Sequence, residues 1–294
     1  MGVLIHNAAT VLTKNRKLQK SSIRLSVKAV EECLTKEGLD HQDIGIFINS
    51  GIFRDKHIGE PAIAALIHGD LKGKCGTPFC FDLNNGGTGF INALEIASGL
   101  IENGETEAAI VVTGDAIPRR IDRWIFPYTP AATAVSLKKG SHDSGFEEFF
   151  HRTFPEYAEL YNSALRWDKP DFRKSNRHIL KFNQDKNYAE KCFECTKETL
   201  SEFFEQHKVV ASDFDLVYYS HSPLGFGNKL KSWMNLPDDS YGKIYEDGEI
   251  HTAGIGFSLS RSLTRIKFHQ AKNILFIAVG SGIQVSLAWY KNLH

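Results

Sequence analysis

Residues 81–90 read F-D-L-N-N-G-G-T-G-F. The sequence predicts a buried strand over 78–83 that runs through an Asn/Gly turn into a strongly apolar helix over 88–103. That design sets one residue at the positive end of a helix dipole, where an anionic nucleophile such as a thiolate is stabilised. The residues offered there are Gly86, Gly87 and Thr88. Glycine has no side chain, so Gly87 cannot form a covalent intermediate. Thr88 fits the cap of the helix start. Cys80 lies on the strand, too far back to reach the helix end, and reads as a small buried residue. His221, in Y-S-H-S-P-L-G-F, follows an apolar strand; His251 lies in E-I-H-T-A-G-I-G-F. Each is either a hydrogen-bonded structural group or part of a polar pocket. A His–His zinc site needs a third ligand, and none is identifiable. Cys192 and Cys195 form a C-x-x-C inside a helix over 184–205, with no second pair to complete a metal site, and read as ordinary helix residues.

The elements that hold these residues alternate as α/β. A first strand is expected at 3–5. An amphipathic helix at 21–37 carries Ile23, Val27, Val30 and Leu34 on one face and is ended by Gly38. A buried strand at 44–48 follows, then a helix at 60–71 with Pro61 in its first turn. The helix over 88–103 has Phe90, Leu94, Ala97 and Ile101 on one face with Ile91 and Leu100 beside it, which predicts burial. The near-continuous apolar run 108–113 predicts a strand covered on both faces. The second half repeats the order. A helix precedes D-F-D-L-V-Y-Y-S (213–220) as one precedes D-I-G-I-F-I-N-S (43–50). Each of these strands is followed, about 60–65 residues on, by another apolar strand, at 109–113 and 274–279. The link at 150–175 holds Pro155 and Pro170 and has no clear period.

A length of 294 residues suits two similar halves, and 42% hydrophobic residues supply a sizeable core. Thirty-five basic residues balance 35 acidic ones, which gives nucleic-acid binding no support. No apolar run approaches the ~18 residues of a membrane span, and the start has no signal-like pattern. A soluble cytoplasmic protein is expected. The five cysteines, odd in number and without framework spacing, read as free thiols.

Several stretches resemble the β-ketoacyl-ACP synthase III family, a branch of the thiolase superfamily. The family's turn is similar to D-L-N-x-x-C-x-G-F. Asp82, Leu83, Asn84, Gly89 and Phe90 match it, and Gly87 stands at the cysteine position. G-L-D-H-Q-D-I (38–44) and N-G-E-T-E-A-A-I-V-V-T-G-D-A (103–116) resemble the links around the family's central strands. N-I-L-F-I-A-V-G-S-G-I-Q-V-S (273–286) resembles its closing strand, glycine turn and last strand. The resemblance implies a thiolase-like five-layered αβαβα fold built from two similar halves. These are 1–150 and 175–294, joined by a connecting segment at 151–174.

By the same resemblance, the family's Cys-His-Asn set maps to Gly87, His221 and His251. The loop Gly280, Ser281, Gly282 maps to backbone donors of the oxyanion hole. Thr88 with His221 as its base is the substitute nucleophile to weigh. No permanently bound cofactor is expected; acyl-CoA or acyl-ACP is the implied substrate. The family's long coenzyme-A-holding segment after its first strand is missing, because 10–22 runs almost directly into the helix. The family's glycine-rich stretch maps to Y-T-P-A-A-T-A (128–134), which Pro130 stiffens. With Trp124, Phe126, Pro127 and Tyr128 before it, that loop covers the pocket, meets a partner or packs in the core.

The leading expectation is a non-catalytic partner subunit of an active condensing enzyme in fatty-acid, polyketide or secondary-metabolite biosynthesis. It would be a homo- or heterodimer with a synthase III-like homologue, with acyl carrier protein as a further partner and neither nucleic acid nor membrane. An interface through 108–113 and the neighbouring turn is expected. One alternative is an acyltransferase that uses His221 as general base without a covalent cysteine intermediate. The other is a homodimer that binds an acyl or aromatic ligand.

Overall fold

The computed structural model describes residues 2–35, 38–55, 58–118, 126–140, 144–168, 177–263 and 266–292. Trp124 and Pro170 lie outside the described residues. One five-stranded sheet has the order β1 (Val3–Leu12), β5 (Ala131–Lys139), β4 (Ala108–Asp115), β2 (Ile44–Asn49) and β3 (Phe79–Asp82). A four-stranded sheet has the order β6 (Gly145–Thr153), β11 (Gln284–Lys291), β10 (Asn273–Gly280) and β9 (Leu216–Tyr219). A separate antiparallel pair is β7 (Tyr161–Asp168) with β8 (Arg177–Gln184).

The two large sheets repeat one plan. β1, β5 and β4 are successively antiparallel and β4 runs parallel to β2; β6, β11, β10 and β9 follow the same sequence of directions. Beside β2 stands the parallel edge strand β3; beside β9, at the matching place, Val217 makes a lone parallel bridge to Tyr241.

Alternation along the central strands sorts side chains into layers, because successive residues point to opposite faces of a sheet. Ile46, Ile48, Ala109 and Val111 face inward, as do Ile274, Phe276 and Ala278 from the other sheet. They meet between the sheets around Phe90, Leu94 and Ile101 of α3 (Gly89–Glu102) and Ile255 and Leu259 of α6 (Gly254–Ser262). Phe47, Ile110 and Val112 face outward onto α1 (Ser22–Cys33) and α2 (Ile63–Asp70). Leu275 and Ile277 face outward onto α4 (Tyr188–His207) and α5 (Phe226–Met234). A short α7 (Ile266–Gln270) leads into β10. The five layers are therefore helices, sheet, helices, sheet, helices. Among the described residues no helix is long and apolar enough to cross a membrane.

Several expectations need correction. β1 runs on to Leu12, because its alternating small residues pair along the whole of β5. β4 lies between β5 and β2 with all eight residues buried, so 108–113 presents no edge for an interface. An edge of the same sheet is β3, expected as buried: Phe79 is 67% exposed and packs against Phe81. Strand β6 crosses position 150 and pairs in the second sheet, and the stretch read as aperiodic contains the rest of β6 and all of β7. Cys192 and Cys195 face the buried side of α4, where burial pushes both thiols up to about 12. No cluster of metal-ligating side chains exists among the described residues.

Candidate functional site

The predicted site residues stand at the carboxyl ends of the parallel strands β3, β4, β9 and β10, the end where open α/β sheets place their ligands. Asp82 closes β3. Its carboxylate accepts from the backbone N–H of Ile63 (2.8 Å) and Ala64 (2.9 Å) at the start of α2, and from Arg54 Nη1 (3.1 Å). These bonds fix the entry to the turn. Gly86 adopts φ +52°, a left-handed conformation that glycine takes without strain.

Gly87 is pressed against the end of β10. A Cβ built on it would lie 2.6 Å from the Val279 carbonyl oxygen and 3.2 Å from Gly280 Cα. Backbone fills the place a nucleophilic side chain would need. Thr88 is fully buried. It occupies the cap position of α3, but its hydroxyl does not cap the helix: it lies 3.0 Å from the Asn85 carbonyl and 3.3 Å from Gln284 Oε1. Cys80 lies on β3 with its thiol 3.5 Å from the Pro78 carbonyl, and burial pushes that thiol up.

The loop Gly280, Ser281, Gly282 covers this turn. A Cβ on Gly86 would meet Ser281 Oγ at 3.5 Å. The same strand end is tied to the histidine loop, since Val279 N donates to Ser220 Oγ at 3.0 Å, one residue before His221. His221 in turn packs on the start of α6, close enough that a Cβ on Gly254 would touch its ring at 2.9 Å. Three residues back on the same segment is His251. The structure thus links all three family-mapped positions through β10 and the start of α6.

The two histidines have different surroundings. His221 Nε2 is 2.9 Å from Ser258 Oγ, whose own proton goes to the Lys243 carbonyl at 2.8 Å. A carbonyl only accepts, so the network assigns the ring proton to Nε2. The lone pair is then on Nδ1, which is buried with no hydrogen-bond partner among the described residues. Burial pushes the imidazole down to about 4. His221 is a neutral group near pH 7 with its basic nitrogen sealed in protein.

His251 lies against Asp115, the last residue of β4. Asp115 is buried and saturated with donors. Its Oδ1 accepts from Ile52 N (2.9 Å) and Phe53 N (2.8 Å); its Oδ2 accepts from Thr252 N (3.1 Å), Thr252 Oγ1 (2.7 Å) and His251 Nδ1 (3.3 Å). Burial alone would push Asp115 up. The hydrogen bond and charge of His251, with the Phe53 and Thr252 donors, hold the carboxyl at about 2. Tyr128 packs over the His251 ring at 4.5 Å between centroids, with Phe53 at 5.2 Å. Phe126 and Tyr128 therefore pack as core, and Tyr128 also roofs His251. Glu249 is held in the same group: burial pushes its carboxyl up, against a Ser222 hydrogen bond and the His251 charge. A cleft of about 410 Å³ opens along Tyr128, with Lys14, Gln19, Pro130 and Tyr245 in its walls; Gly87, His221 and His251 do not line it.

Asp115 was missed in the sequence. It stood in T-G-D-A at the end of a predicted buried strand, the one acidic residue there, and an acid closing such a strand was the available signal.

The family model of 3-oxoacyl-[acyl-carrier-protein] synthase III matches residues 81–153. The β-ketoacyl-ACP synthase III of Clostridium perfringens is 22% identical over 93% of this chain and 86% of its own length. That of Aquifex aeolicus is 21% identical over 92% of this chain and 84% of its own. Among solved structures, the synthase III of Thermus thermophilus superposes with a TM-score of 0.80 at 17% identity, covering 99% of both chains. A cysteine-to-serine form of Xanthomonas campestris OleA, with bound lauric acid and lauroyl-CoA, gives 0.77 at 17%, also over 99% of both. The fold is that of these solved synthases, and over most of its length the chain is similar in sequence to β-ketoacyl-ACP synthase III.

Proposed function

We propose that this synthase III-like chain forms no acyl-enzyme and serves as the cysteine-free subunit beside an active, cysteine-bearing condensing enzyme. The observation that carries the reading is the backbone of Val279 and Gly280 closing over Gly87. A nucleophile is missing there, and so is the room for one. The two-sheet fold around the turn is intact, which suits a protein kept for its shape and its surfaces. The open edge of β3, with Phe79 exposed beside Phe81, is the strand on which a second subunit would pair. Acyl carrier protein or coenzyme A would then deliver the acyl group to the partner's cysteine.

Co-purification tests this. The tagged chain is expressed with a synthase III homologue that carries Cys, His and Asn, and both chains are weighed intact after incubation with octanoyl-CoA. The expected result is a stable pair in which only the homologue gains the octanoyl mass. An acyl adduct on this chain overturns the reading.

A second reading is favoured by one specific observation, the buried Asp115 against His251. In it, the site transfers an acyl group directly from a thioester to an acceptor, with no covalent enzyme intermediate.

A further inference from the structure

We infer that His251, held by Asp115, is the proton acceptor of this site, and that it activates a hydroxyl- or amine-bearing acceptor for direct attack on an acyl thioester. The inference rests on the second reading above.

An ionised carboxylate only accepts hydrogen bonds, so the proton between Asp115 Oδ2 and His251 Nδ1 (3.3 Å) belongs to the imidazole. In the neutral ring this leaves the lone pair on Nε2. Nε2 has no protein partner among the described residues, and the side chain keeps 11% of its surface exposed. This is how an acid-oriented histidine acts as a base: the carboxylate fixes the tautomer and the ring plane, and the far nitrogen takes the proton. Four further donors hold Asp115, from Ile52, Phe53 and Thr252, so it cannot turn away. Tyr128 and Phe53 clamp the ring. His221 offers the opposite arrangement, with its lone pair on the sealed Nδ1. The acidic groups facing His251 are Asp115 from β4 and Glu249 from its own segment.

The step balances without a covalent enzyme species. Nε2 takes the proton of an O–H or N–H as that atom bonds to the thioester carbonyl carbon, and the carbonyl electron pair moves onto oxygen. The pair then returns, the C–S bond breaks, and the thiolate leaves with the proton from Nε2. One thioester and one alcohol, amine or water give one ester, amide or carboxylic acid and one thiol.

The test uses octanoyl-CoA as donor and water as acceptor, reading free thiol released by the full chain. Asparagine at 251 keeps a donor for Asp115 but has no basic nitrogen. His251→Asn is therefore expected to retain the fold and lower thiol release by about a hundredfold. Diethylpyrocarbonate, which marks reachable unprotonated imidazoles, is expected to modify His251 ahead of His221 in peptide maps. A greater loss in His221→Asn than in His251→Asn overturns the inference and leaves direct transfer standing, as does an unmodified His251. No thiol release by the wild-type chain alone overturns both and leaves the partner-subunit reading.

Discussion

At Gly87 the proposed loss of acyl transfer rests on packing as well as on chemistry. Restoring a cysteine supplies the thiol but also a Cβ that meets the Val279 carbonyl oxygen at 2.6 Å. The contacting atoms belong to backbone, which yields only by moving the end of β10. Gly87→Cys is expected to cost about 1–3 kcal/mol in urea unfolding, as overpacking does, and to gain no octanoyl mass from octanoyl-CoA. A stable, acylated variant would show that the turn is open after all. His221 gives a second test at this scale. Its imidazole is held down to about 4 in the folded chain, from an ordinary value of 6.5. The unfolded chain then binds the proton first as pH falls. The stability tied to a neutral His221 is full above about pH 6.5 and is lost progressively on the way to pH 4. Wild type is expected to lose more stability than His221→Asn between pH 7 and 4.5 in urea titrations. Equal losses would mean that the ring is hydrated. Gly87 and both histidines could be located from their neighbours in the chain, whereas their roles could not. Which nitrogen of each ring is free depends on Ser258 and Asp115, groups brought in from far along the sequence.

At the scale of elements, the exposed edge decides where a partner can bind. Strand 108–113 read as near-continuously apolar and as part of the interface, yet apolarity on both faces marks a central strand and not an edge. β4 has neighbours on either side, and its backbone groups are already paired. β3 pairs on one side only, and its outermost ring, Phe79, stands in solvent. A charge there would deter strand addition without touching the core. Phe79→Glu is expected to shift the subunit assembly to monomers in light scattering at micromolar concentration, with the melting temperature of the monomer little changed. An assembly that survives the charge would place the interface elsewhere. Helix and strand order was readable where periods of 3.6 and 2 survive in the sequence, as at α1, β2, α3 and α4, but β7 fell in the stretch read as aperiodic and β5 starts in one read as a loop. The length of β1 was not, since Asn7, Ala8, Ala9 and Thr10 carry no strong apolar signal; their pairing with β5 makes them a strand.

At the scale of the molecule, the two sheets are related copies, but the core does not divide with them. The middle layer packs Phe90, Leu94 and Ala97 from α3 against Ile48 and Val111 of one sheet and Tyr218 and Phe276 of the other. The first sheet also touches the second through Ile5, whose N–H donates to the Tyr290 hydroxyl at 3.3 Å. The duplication could be sensed from spacing, while the sharing of one central layer could not, because that contact joins residues more than a hundred positions apart. Two halves that bury their inner faces only against each other should not unfold separately. A single urea transition is expected, with the same midpoint whether followed by tryptophan fluorescence or by far-ultraviolet circular dichroism. Leu94→Ala, which opens a cavity between the sheets, is expected to lower that one transition by about 2–5 kcal/mol. If the copies were independent units, the variant would split the curve and leave one step at the wild-type midpoint. The functional consequence follows from the shared layer. α3 begins at Gly89, immediately after the Gly87 turn, and α6 begins at Gly254, three residues past His251. A cavity beneath α3 should therefore loosen the site before the chain unfolds, and diethylpyrocarbonate should reach His221 faster in Leu94→Ala than in wild type at a urea concentration below the transition.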